Sequence, residues 1–231
     1  MPDERMTYVL VHGAWHGGWC WQPVARLLRE AGHEVFTPTL TGLGERGHLL
    51  TPAIGLQTHV DDILGVLRYE DLRNVVLVGH SYAGFVVREV ADRVPERIGR
   101  IVMIDAWAGQ DGESLEDLAP EFFLQWLDSV TEDGVIPATP AATVGVTEPE
   151  QVAWLEPRLT PHPRRTFSDP TKLSGAVDTI PCRAVLCTPD GPMPFPQLAK
   201  DFGWEATELA VGHDAMVTAP AALANILLEK V

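Results

Sequence analysis

Six short runs rich in Val, Ile and Leu recur along the chain with longer amphipathic stretches between most of them: "TYVLVHG" (7 to 13), "HEVFTPT" (33 to 39), "NVVLVGH" (74 to 80), "RIVMIDA" (100 to 106), "CRAVLCT" (182 to 188) and "TELAVG" (207 to 212). Near-continuous apolar strands of this kind suit a parallel sheet buried on both faces, with the intervening segments as covering helices. Trp21, Val24, Ala25, Leu27 and Leu28 mark one helix, stopped near Gly32. A second is expected from Thr58, with Ile63, Leu64 and Leu67 inward, a third from Ser81 to about Val94, and a last from about Ala219. Right-handed crossovers wind such units into one α/β layer, so residues 1–231 are read as one domain.

The alternation fails between about 107 and 178. Pro120, Pro137, Pro140, Pro149, Pro157, Pro161, Pro163 and Pro170 interrupt the chain there, yet "LAPEFFLQWL" (118 to 127) and Trp154 keep it apolar. A disordered linker rarely carries so many large aromatic residues, so an inserted, mostly helical cap is expected.

Charge and cysteines narrow the class. Lys and Arg number 17 against 32 Asp and Glu, a net charge of −15, which disfavours nucleic acid or an anionic membrane as partner. Cys20, Cys182 and Cys187 form no C-x-x-C pair, so reduced thiols are expected and no metal site. The polar start "MPDERMTYVL" and the lack of any spanning apolar run predict a cytoplasmic protein.

"VLVGHSYAG" (76 to 84) places Ser81 between a strand and a helix, the context of a nucleophile turn of the G-x-S-x-G type. Ala83 replaces the last glycine of that pattern. The position falls in the helix, where a small side chain suffices, and Gly84 beside it leaves further room. A serine that merely caps a helix after a Gly-rich turn is the plainer alternative.

A serine hydroxyl needs a base, and the base a carboxylate. Of the eight histidines, His213 in "LAVGHDAMV" follows the final strand; His12, His16, His33, His48, His59, His80 and His162 are less well placed. For the acid, Asp190 in "AVLCTPDGP" is favoured, with Asp105 at the end of "IVMIDA" as the alternative. The backbone N–H groups of Tyr82 and of Ala14 in "HGAWHGGW" are expected to form the oxyanion hole. Trp15, Trp107, Phe122, Phe123, Trp126, Met193 and Met216 are expected to wall an apolar pocket over Ser81. Gly42 to Gly47 matches G-x-G-x-x-G, but no helix follows directly, so it is read as a connecting loop near the mouth of the site.

"VLVHGAWHGGWCW", "TLTGLGERGHL", "VGHSYAG", "IDAWAG" and "VGHDAMVTAP" together resemble the α/β-hydrolase superfamily, and within it the methylesterases, hydroxynitrile lyases and related bacterial esterases. The resemblance implies an α/β-hydrolase fold, a triad of Ser81, His213 and Asp190, an oxyanion hole at Ala14 and Tyr82, and no metal or organic cofactor. It also implies a small-molecule ester as substrate. Lyases of the group carry a hydroxyl residue where this chain has Gly13, and a lysine where it has Asp214, whose charge would repel cyanide. Ester hydrolysis through an acyl-serine is therefore expected. The alternatives are a lyase, an acyl-transfer or cyclising enzyme using the same triad, and a binding protein on the same scaffold.

Overall fold

The computed structural model describes residues 5–189 and 191–229. Its main sheet has six strands, β1 (Thr7–Val11), β2 (Glu34–Phe36), β3 (Val75–His80), β4 (Ile98–Ile104), β7 (Cys182–Cys187) and β8 (Glu205–Leu209). A two-stranded antiparallel pair, β5 (Val135–Ile136) and β6 (His162–Pro163), lies between β4 and β7 in sequence. Each of the six strands overlaps one of the six apolar runs, β4 and β8 beginning two residues earlier than the pattern indicates, and every neighbouring pair is parallel in the order β2-β1-β3-β4-β7-β8.

Side chains alternate across the sheet. Val9, Val11, Leu77 and Met103 join one buried cluster, and Tyr8, Leu10, Val76 and Val102 join the other. The first cluster packs under α2 (Leu56–Tyr69) and α3 (Ala83–Arg93), the second under α1 (Gln22–Glu30) and α10 (Pro220–Leu228). The order reverses at β1: the chain leaves β1 toward β2 on one side and returns to β3 on the other. Loops after β1 and β3 therefore part at the carboxyl edge and leave a crevice between them, where α/β sheets bind ligands.

Local signals explain some of the helix ends. α1 closes in a Schellman arrangement, with Gly32 at φ +94°, Gly32 N–H donating to Arg29 O and His33 N–H to Leu28 O. α2 begins at Leu56, two residues before the expected start, because the Asp169 carboxylate accepts the Leu56 N–H at 3.2 Å. That cap comes from 113 residues away and has no local signature.

Between β4 and β7 the chain forms α4 (Leu115–Leu118), α5 (Glu121–Val130), α6 (Pro149–Leu155) and α7 (Arg165–Ser168), joined by loops and 3-10 turns. Ser114 and Asp117 close a capping box at the head of α4. The remaining helices are α8 (Phe195–Asp201) and α9 (Ala215–Thr218). Cys20, Cys182 and Cys187 are unpaired. Among the described residues, no helix is long and apolar enough to cross a membrane.

The turn at Ser81 shows where small residues are required. A Cβ on Gly84 would lie 2.0 Å from the Trp107 carbonyl oxygen, and one on Gly79 would lie 2.7 Å from Val87 Cγ2. Ala83 is fully buried, its methyl group accommodated at the first position of α3. Gly84→Ala is expected to lower stability by about 3 kcal/mol or more, since backbone rather than a flexible side chain must move. Ala83→Gly should cost only about 1 kcal/mol, the helix propensity difference. Urea unfolding of the two variants checks both.

Candidate active site

Ser81 follows β3 directly and adopts φ +53°, the left-handed region that a non-glycine residue occupies only at a cost. Its backbone is held on both sides: Ser81 N–H donates to Ile104 O at 3.1 Å, and Ser81 O accepts from Trp107 N–H at 3.0 Å. The side chain is thereby lifted above the sheet edge and lines a cavity of about 600 Å³.

His213 opens onto the same cavity. Its Nδ1 lies 3.1 Å from Asp105 Oδ2, and Asp105 Oδ1 accepts the Cys187 N–H at 2.8 Å. A proton on Nδ1 satisfies the carboxylate and leaves Nε2 as an acceptor, the tautomer a general base requires. Phe195 lies against the imidazole, nearly parallel at 8°, with ring centroids 5.4 Å apart.

The two candidate acids stand differently in the structure. Asp190, placed ahead of Asp105 on the sequence, lies outside the described residues, and the carboxylate at His213 Nδ1 is that of Asp105. The reason is geometric: β4 is adjacent to β3, and Asp105 leaves its end at φ +39°, which aims the carboxylate across to the loop carrying His213. Chain order alone permits either aspartate.

Ala14 and Tyr82 both line the cavity beside Ser81, and among the described residues neither backbone N–H finds a protein acceptor. Trp15, next to Ala14, adopts φ +65° and is pinned by the inserted segment: Thr160 N–H donates to Trp15 O at 2.9 Å, and His162 Nδ1 accepts the Trp15 N–H at 3.4 Å. His59 binds the Tyr82 hydroxyl at 2.9 Å and the Thr41 carbonyl at 2.9 Å, fixing the Tyr82 side chain away from the backbone donor. Burial holds His12 and His59 neutral, lowered to about 3 and about 4 respectively.

Of the expected wall, Trp15, Trp107, Phe122, Phe123, Trp126 and Met193 line the cavity. Met216 does not. It is fully buried in the core on the α1 and α10 side of the sheet, because α9 turns inward directly after the His213 loop. Phe167 and Phe195 complete the wall and were not foreseen; each lies far in sequence from Ser81 and only the fold brings it there. The loop from Gly42 to Gly47 contributes nothing to the lining and packs instead against Gly17, Trp19 and Thr160.

Asp214 differs from its expected part as a free charge beside the base. It is fully buried, and its Oδ2 lies 2.9 Å from His16 Nε2. Burial opposes charge on both groups, but their mutual attraction and hydrogen bond outweigh it, so His16 is raised and Asp214 lowered from their ordinary values. His80, also buried, is held well below the ordinary histidine range by desolvation and by the neighbouring His213 and His16.

Comparison with known proteins agrees with this architecture. A six-stranded parallel sheet with helices on both faces and a serine on a strained turn after β3 defines a hydrolase of the α/β class. The chain belongs to the alpha/beta hydrolase family, whose model matches residues 8–226. It is 38% identical over 238 residues to the carbendazim hydrolyzing esterase of Nocardioides sp. (strain SG-4G), covering 96% of this chain and 98% of that one. It is also 34% identical over 108 residues to methyl jasmonate esterase 1 of Vitis vinifera, covering 46% of this chain and 41% of the relative. Among solved structures, an extracellular alpha/beta-hydrolase from a Paenibacillus species shares the fold at a TM-score of 0.87 and 24% identity, over 96% of this chain and 98% of that one.

Two outcomes follow from this geometry. A Cβ on Gly13 would lie 2.9 Å from His80 Nδ1 and 3.0 Å from Ser81 Cβ. Gly13→Thr is therefore expected to displace Ser81 and reduce ester turnover at least tenfold, as steady-state kinetics would register. The His16–Asp214 pair sets a pH window. The raised His16 contributes stability that is complete below about 6.5 and lost as pH rises through its folded value, whereas the lowered Asp214 contributes above about 3.9 and is lost as pH falls through its own. Asp214→Asn is expected to cost about 3 kcal/mol within that window. Urea midpoints measured from about pH 2.5 to 9 should show the gap to wild type narrowing toward both extremes.

Proposed function

We propose that the chain is a serine esterase that cleaves a small apolar or aromatic carboxylic ester. Ser81 is the nucleophile, His213 the base, Asp105 the carboxylate that orients it, and the backbone N–H groups of Ala14 and Tyr82 receive the oxyanion. The observation that carries the reading is the Asp105–His213 pair at 3.1 Å opening on the same cavity as Ser81. A relative named for hydrolysing carbendazim and plant relatives named as methylesterases support ester hydrolysis.

In the first half-reaction His213 Nε2 takes the Ser81 proton as Oγ attacks the carbonyl carbon. The C–O bond to the alcohol then breaks, and His213 returns the proton to the departing alkoxide. Water, deprotonated by the same imidazole, next attacks the acyl-serine and releases the acid. Asp105 holds the Nδ1–H and stabilises the imidazolium formed in each half. The aromatic walls of the cavity, Trp15, Trp107, Phe123, Trp126 and Phe167, favour a flat apolar acyl or alcohol group. The segment between β4 and β7 acts as the cap that shapes this space. Three unpaired cysteines fit a reducing, cytoplasmic setting.

Intact-mass analysis after incubation with a fluorophosphonate, beside turnover of methyl and aryl esters, tests the assignment. Wild type should gain one adduct, absent only in Ser81→Ala. Asp105→Asn should lower kcat by about 10³ to 10⁴-fold, and Asp190→Asn by less than threefold. Collapse in Asp190→Asn with Asp105→Asn unaffected would restore Asp190 as the acid. No adduct on wild type would remove the serine mechanism.

A further inference from the structure

Behind the cavity lies a second histidine–carboxylate pair that the mechanism does not use. His16 sits two residues after Ala14, and Asp214 directly after His213. Both ring nitrogens of His16 face acceptors: Nδ1 lies 2.7 Å from the Ala14 carbonyl and Nε2 lies 2.9 Å from Asp214 Oδ2. Only the doubly protonated ring donates to both, so the pair is an imidazolium and a carboxylate, neutral as a unit and excluded from solvent. Trp19 stacks on the His16 ring with centroids 5.6 Å apart, a face suited to a cation.

The pair is joined to the other loops of the site. His80, immediately before Ser81, donates its Nε2–H to the His213 carbonyl at 3.0 Å, and the same nitrogen lies 3.9 Å from Asp214 Oδ1. Asp214 N–H donates to Val144 O at 3.0 Å, and Val217 N–H donates to Asp214 O at 2.9 Å. The charged and titratable groups around His213 are thus Asp105 in front, Cys187, whose Sγ lies 3.8 Å from the His213 carbonyl, and, behind it, Asp214, His16 and His80. Ala14 is linked through its carbonyl, and the base through the next residue in the chain. The bonds of His16 to the Ala14 carbonyl and to Asp214 are short and buried, which gives that part of the linkage little freedom to stretch.

We infer that the His16–Asp214 ion pair is a positioning device that sets the separation of the oxyanion donor at Ala14 from the base at His213. It touches neither substrate nor reacting atoms. Its effect is exerted when negative charge develops on the carbonyl oxygen at the moment His213 takes the proton, because both must then be in register. The inference rests on the serine-esterase reading above.

The test compares wild type, Asp214→Asn, His16→Gln combined with Asp214→Asn, and Leu223→Ala, a core truncation under α10 that supplies a destabilised control. kcat, KM and the second-order rate of fluorophosphonate labelling at Ser81 are measured at 15 °C, per folded molecule as judged by circular dichroism. Asp214→Asn is expected to lower kcat and the labelling rate tenfold or more with KM changed by less than threefold. The double variant, which leaves no buried unpaired charge, should lose no more than Asp214→Asn does, because the two residues act as one unit. If Asp214→Asn does not fold, the double variant carries the same comparison. Rates within twofold of wild type, as expected for Leu223→Ala, or a rise in KM alone, overturn the inference. Absence of a Ser81 adduct on wild type overturns the esterase reading itself, and this inference with it.

Discussion

Ser81 is held in a backbone conformation that costs about 1 to 2 kcal/mol, and the surrounding structure is arranged to keep it there. Hydrogen bonds at its N–H and carbonyl tie it to Ile104 and Trp107 at the end of β4. Gly79, Ala83 and Gly84 let β3, α3 and the loop after β4 approach closely, and of the two glycines Gly84 leaves less room for a Cβ. Gly13 leaves the space into which the Ser81 and His80 side chains fit. The Ser81 side chain is thereby presented at the edge of a buried sheet, lining the cavity.

Two histidine–carboxylate pairs then serve different ends in one small volume. His213 with Asp105 faces the cavity and is partly exposed. His16 with Asp214 lies behind it, closed to water, where a change of protonation would leave an uncompensated charge. Solvent access separates a pair suited to proton transfer from one suited to holding backbone in place. His80 stands between them as a neutral donor.

The inserted segment reaches the site from above in two ways. Its aromatic residues wall the cavity, and Thr160 and His162 fix the left-handed turn at Trp15 beside the Ala14 donor. Val144 and Gly145 meet the His213 loop, where a Cβ on Gly145 would lie 2.7 Å from Gly212 Cα. The shape of the cavity and the backbone at Trp15 are therefore set by the same stretch of chain.

The strands, their parallel arrangement, the turn at Ser81 and the placement of His213 after β8 were legible in the sequence because each depends on local pattern: apolar runs, small residues at fixed offsets, and order along the chain. The choice between Asp105 and Asp190 was not, since both follow Ser81 and precede His213, and only the φ of Asp105 and the adjacency of β4 to β3 direct one carboxylate to the imidazole. Asp214 read as a free charge beside the base until its partner, 198 residues away, was brought to it. Met216 read as a pocket residue until α9 turned it into the core. The sequence by itself determined the six main strands, the helices that cover them and the turn at Ser81, because those rest on local pattern. Tertiary structure decided which distant side chains meet, because burial and hydrogen-bond pairing depend on distances in space that no local pattern records.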